Sequence, residues 1–289
     1  MITVVLNAFK RQDYLDRQIA CVLSQSIAVE KIFVWNNGQP LNPIEYDKKV
    51  VIANNSQNLG VWSRFAFALN ADTEYVCVLD DDTFPGELFF QNCLEQMKKQ
   101  PALYGARGLR FLSAKRYEPF ISFGWDSPNN KSEVVDIVGH AWFFKREWLS
   151  AFWREQPNTG VSRLVGEDIH FSYMLQKYMG IKTMVPPHPQ NNKSIWGSDP
   201  VLAEKLGTSD EAISQGEGAL LHFDLALQKY TKAGFKLQKD LNHNSPKELV
   251  LGPGISRMRY IQFLAKKYPK FNNLGRRVRK KLSEFKIHI

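Results

Sequence analysis

The sequence predicts an α/β protein: one mainly parallel, doubly wound sheet with helices on both faces. Three observations predict it. Strand-like and helix-like segments alternate through the first hundred residues. Acidic and amide residues cluster where apolar strands end. The 289 residues, 44% hydrophobic and 23% charged, match a globular chain with room for one large domain and an appendage.

The apolar run 2–6 is the first strand; it lacks the basic lead-in and small-residue cleavage site of a secretory leader. Residues 11–23 follow with Leu15, Ile19, Val22 and Leu23 at helical spacing. A second strand, 31–35, ends at the turn signal Asn36-Asn37-Gly38, and 50–53 is a third. Residues 61–69 read as a helix. The fourth strand, 75–79, runs straight into Asp80-Asp81-Asp82, and 86–99 is an amphipathic helix. The middle is richer in glycine and aromatics, with strand-like runs at 108–112, 121–123 and 134–138. A helix begins near Glu167-Asp168, and strand 182–185 is stopped by Pro186-Pro187-His188-Pro189. Residues 190–254 are polar, with one helix-like stretch at 220–233.

In such sheets ligands bind beyond the carboxyl ends of the strands, which places Asn36, Asn37 and the acidic triplet along one edge. Three stacked carboxylates repel one another, and a divalent cation with oxygen ligands removes that conflict. Alternate residues of a strand face the same way, so Asp80 and Asp82 converge while Asp81 diverges. A solvated acidic turn is the plain alternative. An aspartyl-phosphate motif, Asp-x-Asp-x-Thr, fits less well, because Thr83 follows the second carboxylate without a gap.

Five segments in order resemble the GT-A glycosyltransferases, and among them the exostosin-like hexosaminyltransferases. They are Asn7-Ala8-Phe9-Lys10-Arg11, Val34-Trp35-Asn36-Asn37, Leu79-Asp80-Asp81-Asp82-Thr83, the Gly139-His140-Ala141-Trp142-Phe143-Phe144 stretch, and Gly166-Glu167-Asp168-Ile169. The resemblance spans about residues 1–190. It implies the GT-A (Rossmann-like) fold, with Arg11, Asn36 and Asn37 holding the nucleotide and diphosphate of a UDP-sugar donor. Asp82 would be the principal ligand of Mn2+ (or Mg2+), with Asp80 and Asp81 assisting or contacting ribose and sugar hydroxyls. Asn58 and Arg64 resemble the pair that grips the donor, and Asp168 would lie beside the anomeric carbon. Position 167 is Glu where the family has Asp.

Two acids at a helix start are favoured by the helix dipole alone. The functional reading puts Asp168, with Glu167, in the cleft. There it would deprotonate an acceptor hydroxyl in an inverting enzyme or stabilise charge at the anomeric carbon in a retaining one; the resemblance slightly favours retention. Gly139, His140 and Trp142 are read as acceptor contacts, Gly139 admitting the acceptor to the backbone and Trp142 stacking on a sugar ring, against the alternative of a plain core strand. His222 is a possible third metal ligand, against the commoner helix-face histidine.

The net charge of +9 is concentrated at the end of the chain: residues 255–289 carry eleven Lys/Arg against the single acid Glu284. There Phe271, Leu274, Val278, Leu282, Phe285 and Ile289 recur at helical steps, opposite Arg276, Arg277, Arg279, Lys280, Lys281 and Lys286. A basic amphipathic helix of this kind reads as an anchor on an anionic membrane surface, with a helix packed on its own domain as the alternative. Its regular apolar stripe argues against a nucleic-acid arm. Cys21, Cys77 and Cys93 share no metal-type spacing and read as buried free thiols of a reducing, cytoplasmic compartment.

The expectation is a GT-A catalytic domain over 1–250, its nucleotide-binding half about 1–100 and its acceptor half about 101–250, with a basic extension at 251–289. It would move a hexosamine from a UDP-sugar to a polysaccharide or lipid-linked saccharide on the inner face of a membrane. A metal-dependent nucleotidyl- or phosphotransferase and a non-catalytic membrane-docked module are the competing classes.

Overall fold

The computed structural model describes residues 1–38, 41, 47–157, 164–209 and 219–241. The chain divides into two units, 1–244 and 245–289, and the basic extension lies outside the described residues.

The first half holds β1 (Ile2–Ala8), α1 (Leu15–Leu23), β2 (Lys31–Asn36), β3 (Val50–Asn54), α2 (Ser63–Phe67), β4 (Tyr75–Leu79) and α3 (Phe89–Lys99). Then come β5 (Ala102–Tyr104), β6 (Arg107–Phe111), β7 (Phe120–Gly124), β8 (Glu133–Val135), β9 (Ile137–Gly139) and β10 (Ala141–Lys145). The described chain continues through α4 (Leu149–Phe152), α5 (Glu167–Met179), β11 (Lys182–Val185), α6 (Pro200–Gly207), α7 (Ala219–Lys232) and α8 (Gln238–Leu241).

Eight strands form the main sheet in the order β3-β2-β1-β4-β10-β5-β11-β8. Strands β3, β2, β1 and β4 run parallel to one another. The other half of the sheet is mixed: β10 runs antiparallel to both β4 and β5, and β8 antiparallel to β11. The order steps outward from β1 in both directions, so the carboxyl ends of β1 and β4 flank a switch point where a crevice opens. Strands β1 and β4 are buried almost throughout, which accounts for their unbroken apolar runs.

Two differences from the sequence reading have local causes. The run 134–138 is two strands, because Asp136 breaks it: its carboxylate accepts hydrogen bonds from the Phe111 and Gln238 backbone N–H groups, both at 2.6 Å. Strand β8 stays in the main sheet, whereas β9 joins a three-stranded sheet, β7-β6-β9. Helix α6 was hidden in the polar region 190–254. Asp199 caps it by accepting from the Val201 and Leu202 N–H groups, and Pro200 occupies its first turn. The smaller sheet carries Leu109, Phe111 and Ile137 against α5 and α7, forming a second apolar cluster beside the main core. Cys77 and Cys93 are buried free thiols as expected, and Cys21 is half-buried.

Candidate active site

At the end of β4 the backbone is held from two sides. Gln18 donates through Nε2 to the carbonyls of Asp80 (2.6 Å) and Thr83 (2.9 Å), and the Asp80 N–H donates to the His140 carbonyl at 2.9 Å. His140, between β9 and β10, has φ +63° in the left-handed region that non-glycine residues seldom adopt. This kink turns its imidazole toward the triplet, where Nδ1 lies 3.1 Å from Asp82 Oδ1.

Asp80, Asp82 and His140 each offer a ligand atom, and the three atoms lie within 4.8 Å of one another. Asp80 and Asp82 therefore converge as strand alternation predicts, while Asp81 diverges to bond Arg11 Nη1 at 2.7 Å. Two carboxylates and one imidazole suit a borderline cation such as Mn2+ better than Mg2+, which prefers oxygen alone. Burial alone would raise the Asp82 pKa; His140 and then Arg11 outweigh it and hold the carboxyl below its usual value. Burial and then the neighbouring Asp82 and Asp80 charges push Asp81 up to about 6, against Arg11.

Arg64, on α2, is 2% exposed and joins the triplet to α5. It bonds Asp80 through Nη1 and Glu167 Oε1 through Nη2 at 2.9 Å. Gly166, at φ +95°, starts α5 in the left-handed region, which glycine adopts without strain. It brings Glu167 and Asp168 into the first turn, where the helix dipole favours negative charge. Asp168 Oδ1 accepts from the Ile169 N–H at 2.7 Å. Burial raises both carboxyls, Asp168 to about 6 and Glu167 well above its usual range even with Arg64 beside it.

Other expected site residues are placed differently. Asn36 accepts from Gln12 Nε2 (2.9 Å) and donates to Asn54 Oδ1 (2.7 Å). Asn37 accepts from Trp35 Nε1 (3.0 Å) and from the Leu59 N–H (3.1 Å). Both amides are buried and knit strand ends together, so they shape the crevice from behind. Exposed Asn58 accepts from the Gly60 N–H at 2.8 Å. Trp142 is 2% exposed and lies under Arg64, whose guanidinium carbon is 4.6 Å from the ring centroid. Its strand places it in the core, so it supports Arg64 and does not stack on a sugar. Gly139 faces open space: a Cβ there would meet nothing within 4 Å among the described residues. His222 is half-buried on α7 and outside the ligand cluster; the third position next to Asp80 and Asp82 is His140, which sequence reasoning had given to the acceptor.

Arg11 also reaches residues almost two hundred positions along the chain. Its Nη2 donates to the Leu206 carbonyl at 2.6 Å and to Ser209 Oγ at 3.1 Å, so α6 ends against the triplet. An ideal Cβ on Gly207 would lie 3.8 Å from Asp82 Oδ2.

A search of curated protein sequences returns no match. Among solved structures, the chain is similar to GalNAc-T7 with UDP, GalNAc and Mn2+, at TM-score 0.53 and 12% identity, over 84% of this chain and 57% of that one. The chain thus spans little more than half the length of that neighbour. It is also similar to S. aureus TarS 1–349 (TM-score 0.44, 11% identity, 91% of this chain and 79% of that one). A third is HddC from Yersinia pseudotuberculosis (0.39, 11%, 64% and 90%). At these identities the likeness is one of fold. Residues 3–153, more than half of the sequence, match the model of glycosyl transferase family 2, so the chain belongs to that family and carries its carboxylates on a GT-A fold.

Proposed function

We propose that the protein transfers a sugar from a nucleotide diphosphate donor, a UDP-hexosamine, to a glycan or lipid-linked saccharide. The observation that carries this reading is the convergence of Asp80, Asp82 and His140 beside the Arg64–Glu167–Asp168 group at the carboxyl edge of β4. The GT-A neighbour solved with UDP, GalNAc and Mn2+ accords with that donor.

Asp80, Asp82 and His140 would hold a divalent cation, which supplies Lewis-acid charge against the donor diphosphate. Arg11 and Arg64 bring fixed positive charge to the same place. Arg64, locked between Asp80 and Glu167, needs no reorganisation to face developing negative charge. Asp168, with one oxygen on the Ile169 N–H, takes the proton of the attacking acceptor hydroxyl; a pKa near 6 leaves it ionised yet basic at neutral pH. Asp168 in this role would make the transfer inverting, whereas the sequence resemblance leans toward retention. The anomeric configuration of the product, read by NMR, decides between them.

The test is a screen of nucleotide sugars by thermal shift with and without Mn2+, followed by product analysis. Stabilisation by a UDP-sugar only when metal is present supports the reading, and nucleotide turnover without sugar transfer overturns it in favour of a nucleotidyltransferase. Attachment of the 251–289 extension to anionic membrane belongs to the same proposal. Co-sedimentation with phosphatidylserine vesicles, lost on deleting 255–289, tests it. No helix among the described residues is long and apolar enough to cross a membrane.

A further inference from the structure

The face of the smaller sheet next to α5 is apolar from Leu109 to Phe111 and changes character at its open end. There Arg107 on β6 lies opposite Gly124 on β7 and Gly139 on β9. Directly opposed residues share a face, so neither neighbouring strand places a side chain beside the guanidinium. Gly139 leaves open space on that face.

What surrounds this gap is aromatic. The Arg107 guanidinium carbon lies 5.4 Å from the Phe120 ring centroid and 5.9 Å from that of Trp125. Trp125 stands edge-to-face on the His140 ring, with centroids 5.2 Å apart, and is only partly buried. Its indole Nε1–H is buried without a hydrogen-bond partner among the described residues. On the other side Tyr117 packs against Phe120 and Phe223, its backbone N–H held by Asp224 at 2.6 Å. The Tyr117 phenol stays protonated, first through burial and then through the Asp168 charge, so its hydroxyl is a neutral donor. The aromatic shelf has one end at Trp125 against His140 and the other at Tyr117 against Phe120 and Phe223.

Arg107 is also fixed. Its Nε donates to Asp126 Oδ2 at 2.7 Å, and Ser122 Oγ bonds both oxygens of the same carboxylate. That pair uses Nε and cancels the charge, leaving the Nη groups as oriented donors. Nearby stand five carboxylates, Asp80, Asp81, Asp82, Glu167 and Asp168, against Arg11 and Arg64. Among the described residues of that cluster, an anionic sugar would find no uncompensated cation.

We propose that Arg107, Trp125 and Tyr117, over the opening at Gly139, form the acceptor subsite and receive an uncharged pyranose at the end of a glycan. The ring stacks on Trp125, its hydroxyls accept from the Arg107 Nη groups, and the attacking hydroxyl is presented to Asp168. Such packing suits a neutral sugar, whose C–H faces are apolar and whose rim is polar. The proposal rests on the transferase reading above.

The test uses the full chain with UDP and Mn2+ on a glycan array holding neutral and acidic oligosaccharides, with UDP affinity measured separately by calorimetry. Neutral glycans retained by the wild type, and lost roughly tenfold or more in Arg107→Ala and Trp125→Ala, support the subsite. UDP affinity should stay within about twofold in Arg107→Ala, which bonds neither Arg11, Arg64 nor the triplet, and in Trp125→Phe, which keeps an aromatic ring against His140. Trp125→Phe should recover part of the signal and Arg107→Lys little, because a lysine lacks the planar fork. Circular dichroism and the retained UDP affinity show that the variants are folded. Undiminished glycan retention in the alanine variants, or preference for acidic glycans, overturns the proposal. A wild-type chain that binds no UDP overturns instead the donor reading beneath it.

Discussion

Arg64 Nη2 donates to Glu167 Oε1 at 2.9 Å across 103 residues of sequence, with both side chains nearly closed off from solvent. The same guanidinium bonds Asp80 and rests on the Trp142 ring. One buried cation therefore ties the helix after β3 to the strand that carries the triplet and to the helix that carries Asp168.

Removing it should be costly. Arg64→Ala leaves Asp80 and Glu167 without their cation inside the protein, a loss of about 3–5 kcal/mol for a broken buried pair. Denaturant unfolding should show this as a lower midpoint with an unchanged slope. Glu167→Gln, which keeps a hydrogen-bond acceptor for Arg64, should cost less than Arg64→Ala.

Asp168→Asn should lower turnover by roughly 10²–10⁴-fold while donor affinity stays near wild type, because the carboxylate acts on the acceptor proton. The pH profile carries the same information. The base works only when ionised, so kcat/KM should fall as pH drops through about 6, where burial places Asp168. That acidic limb should vanish in the Asn variant.

His140→Asn tests the imidazole as ligand while respecting the backbone, since Asn tolerates the left-handed region that His140 occupies. Mn2+ titration followed by electron paramagnetic resonance should show affinity reduced by at least the roughly 10–100-fold that loss of even an outer partner costs. His222→Asn should leave Mn2+ affinity unchanged, because His222 lies outside the cluster.

His188 gives a prediction about stability. It is 0% exposed; Nδ1–H donates to the Pro186 carbonyl at 2.8 Å, and Nε2 accepts from the Gly197 N–H at 2.9 Å. Burial lowers its pKa to about 4, against 6.5 in the unfolded chain. Between those values the unfolded state binds more protons, so this contribution is fully present above pH 6.5 and is lost as pH falls toward 4. It amounts to about 3 kcal/mol. His188→Gln does not titrate, so the stability gap between it and wild type should narrow by about 2 kcal/mol or more from pH 7 to pH 4.5. A gap independent of pH would contradict the neutral assignment.

Much of the first hundred residues was legible in the sequence, because parallel strands buried on both faces print as continuous apolar runs, and β4 runs straight into the acidic triplet. Asp80 and Asp82 could be paired by strand alternation alone. The residues beyond about 100 were harder to read. Nothing local marks Asp136 as a strand breaker until the N–H groups of Phe111 and Gln238 are seen on its carboxylate. Trp142 reads as a stacking platform only while its depth is unknown. His140 could not be grouped with Asp80 and Asp82 from spacing, since it sits at the junction of β9 and β10 and depends on a backbone kink. The Asp199-Pro200 start of α6 was a signal available in the sequence and passed over.

Arg11 shares its guanidinium between Asp81, the Leu206 carbonyl and Ser209. Together with Arg64 it makes the crevice a late product of folding, since partners 195 and 103 residues away must arrive before either cation is fully satisfied. A ribosome-bound chain that ended at residue 153, where the family match stops, would already hold β1, β4 and all three aspartates. It would still lack Glu167, Leu206 and Ser209, so the part that looks most like its relatives is the part that cannot complete the site by itself.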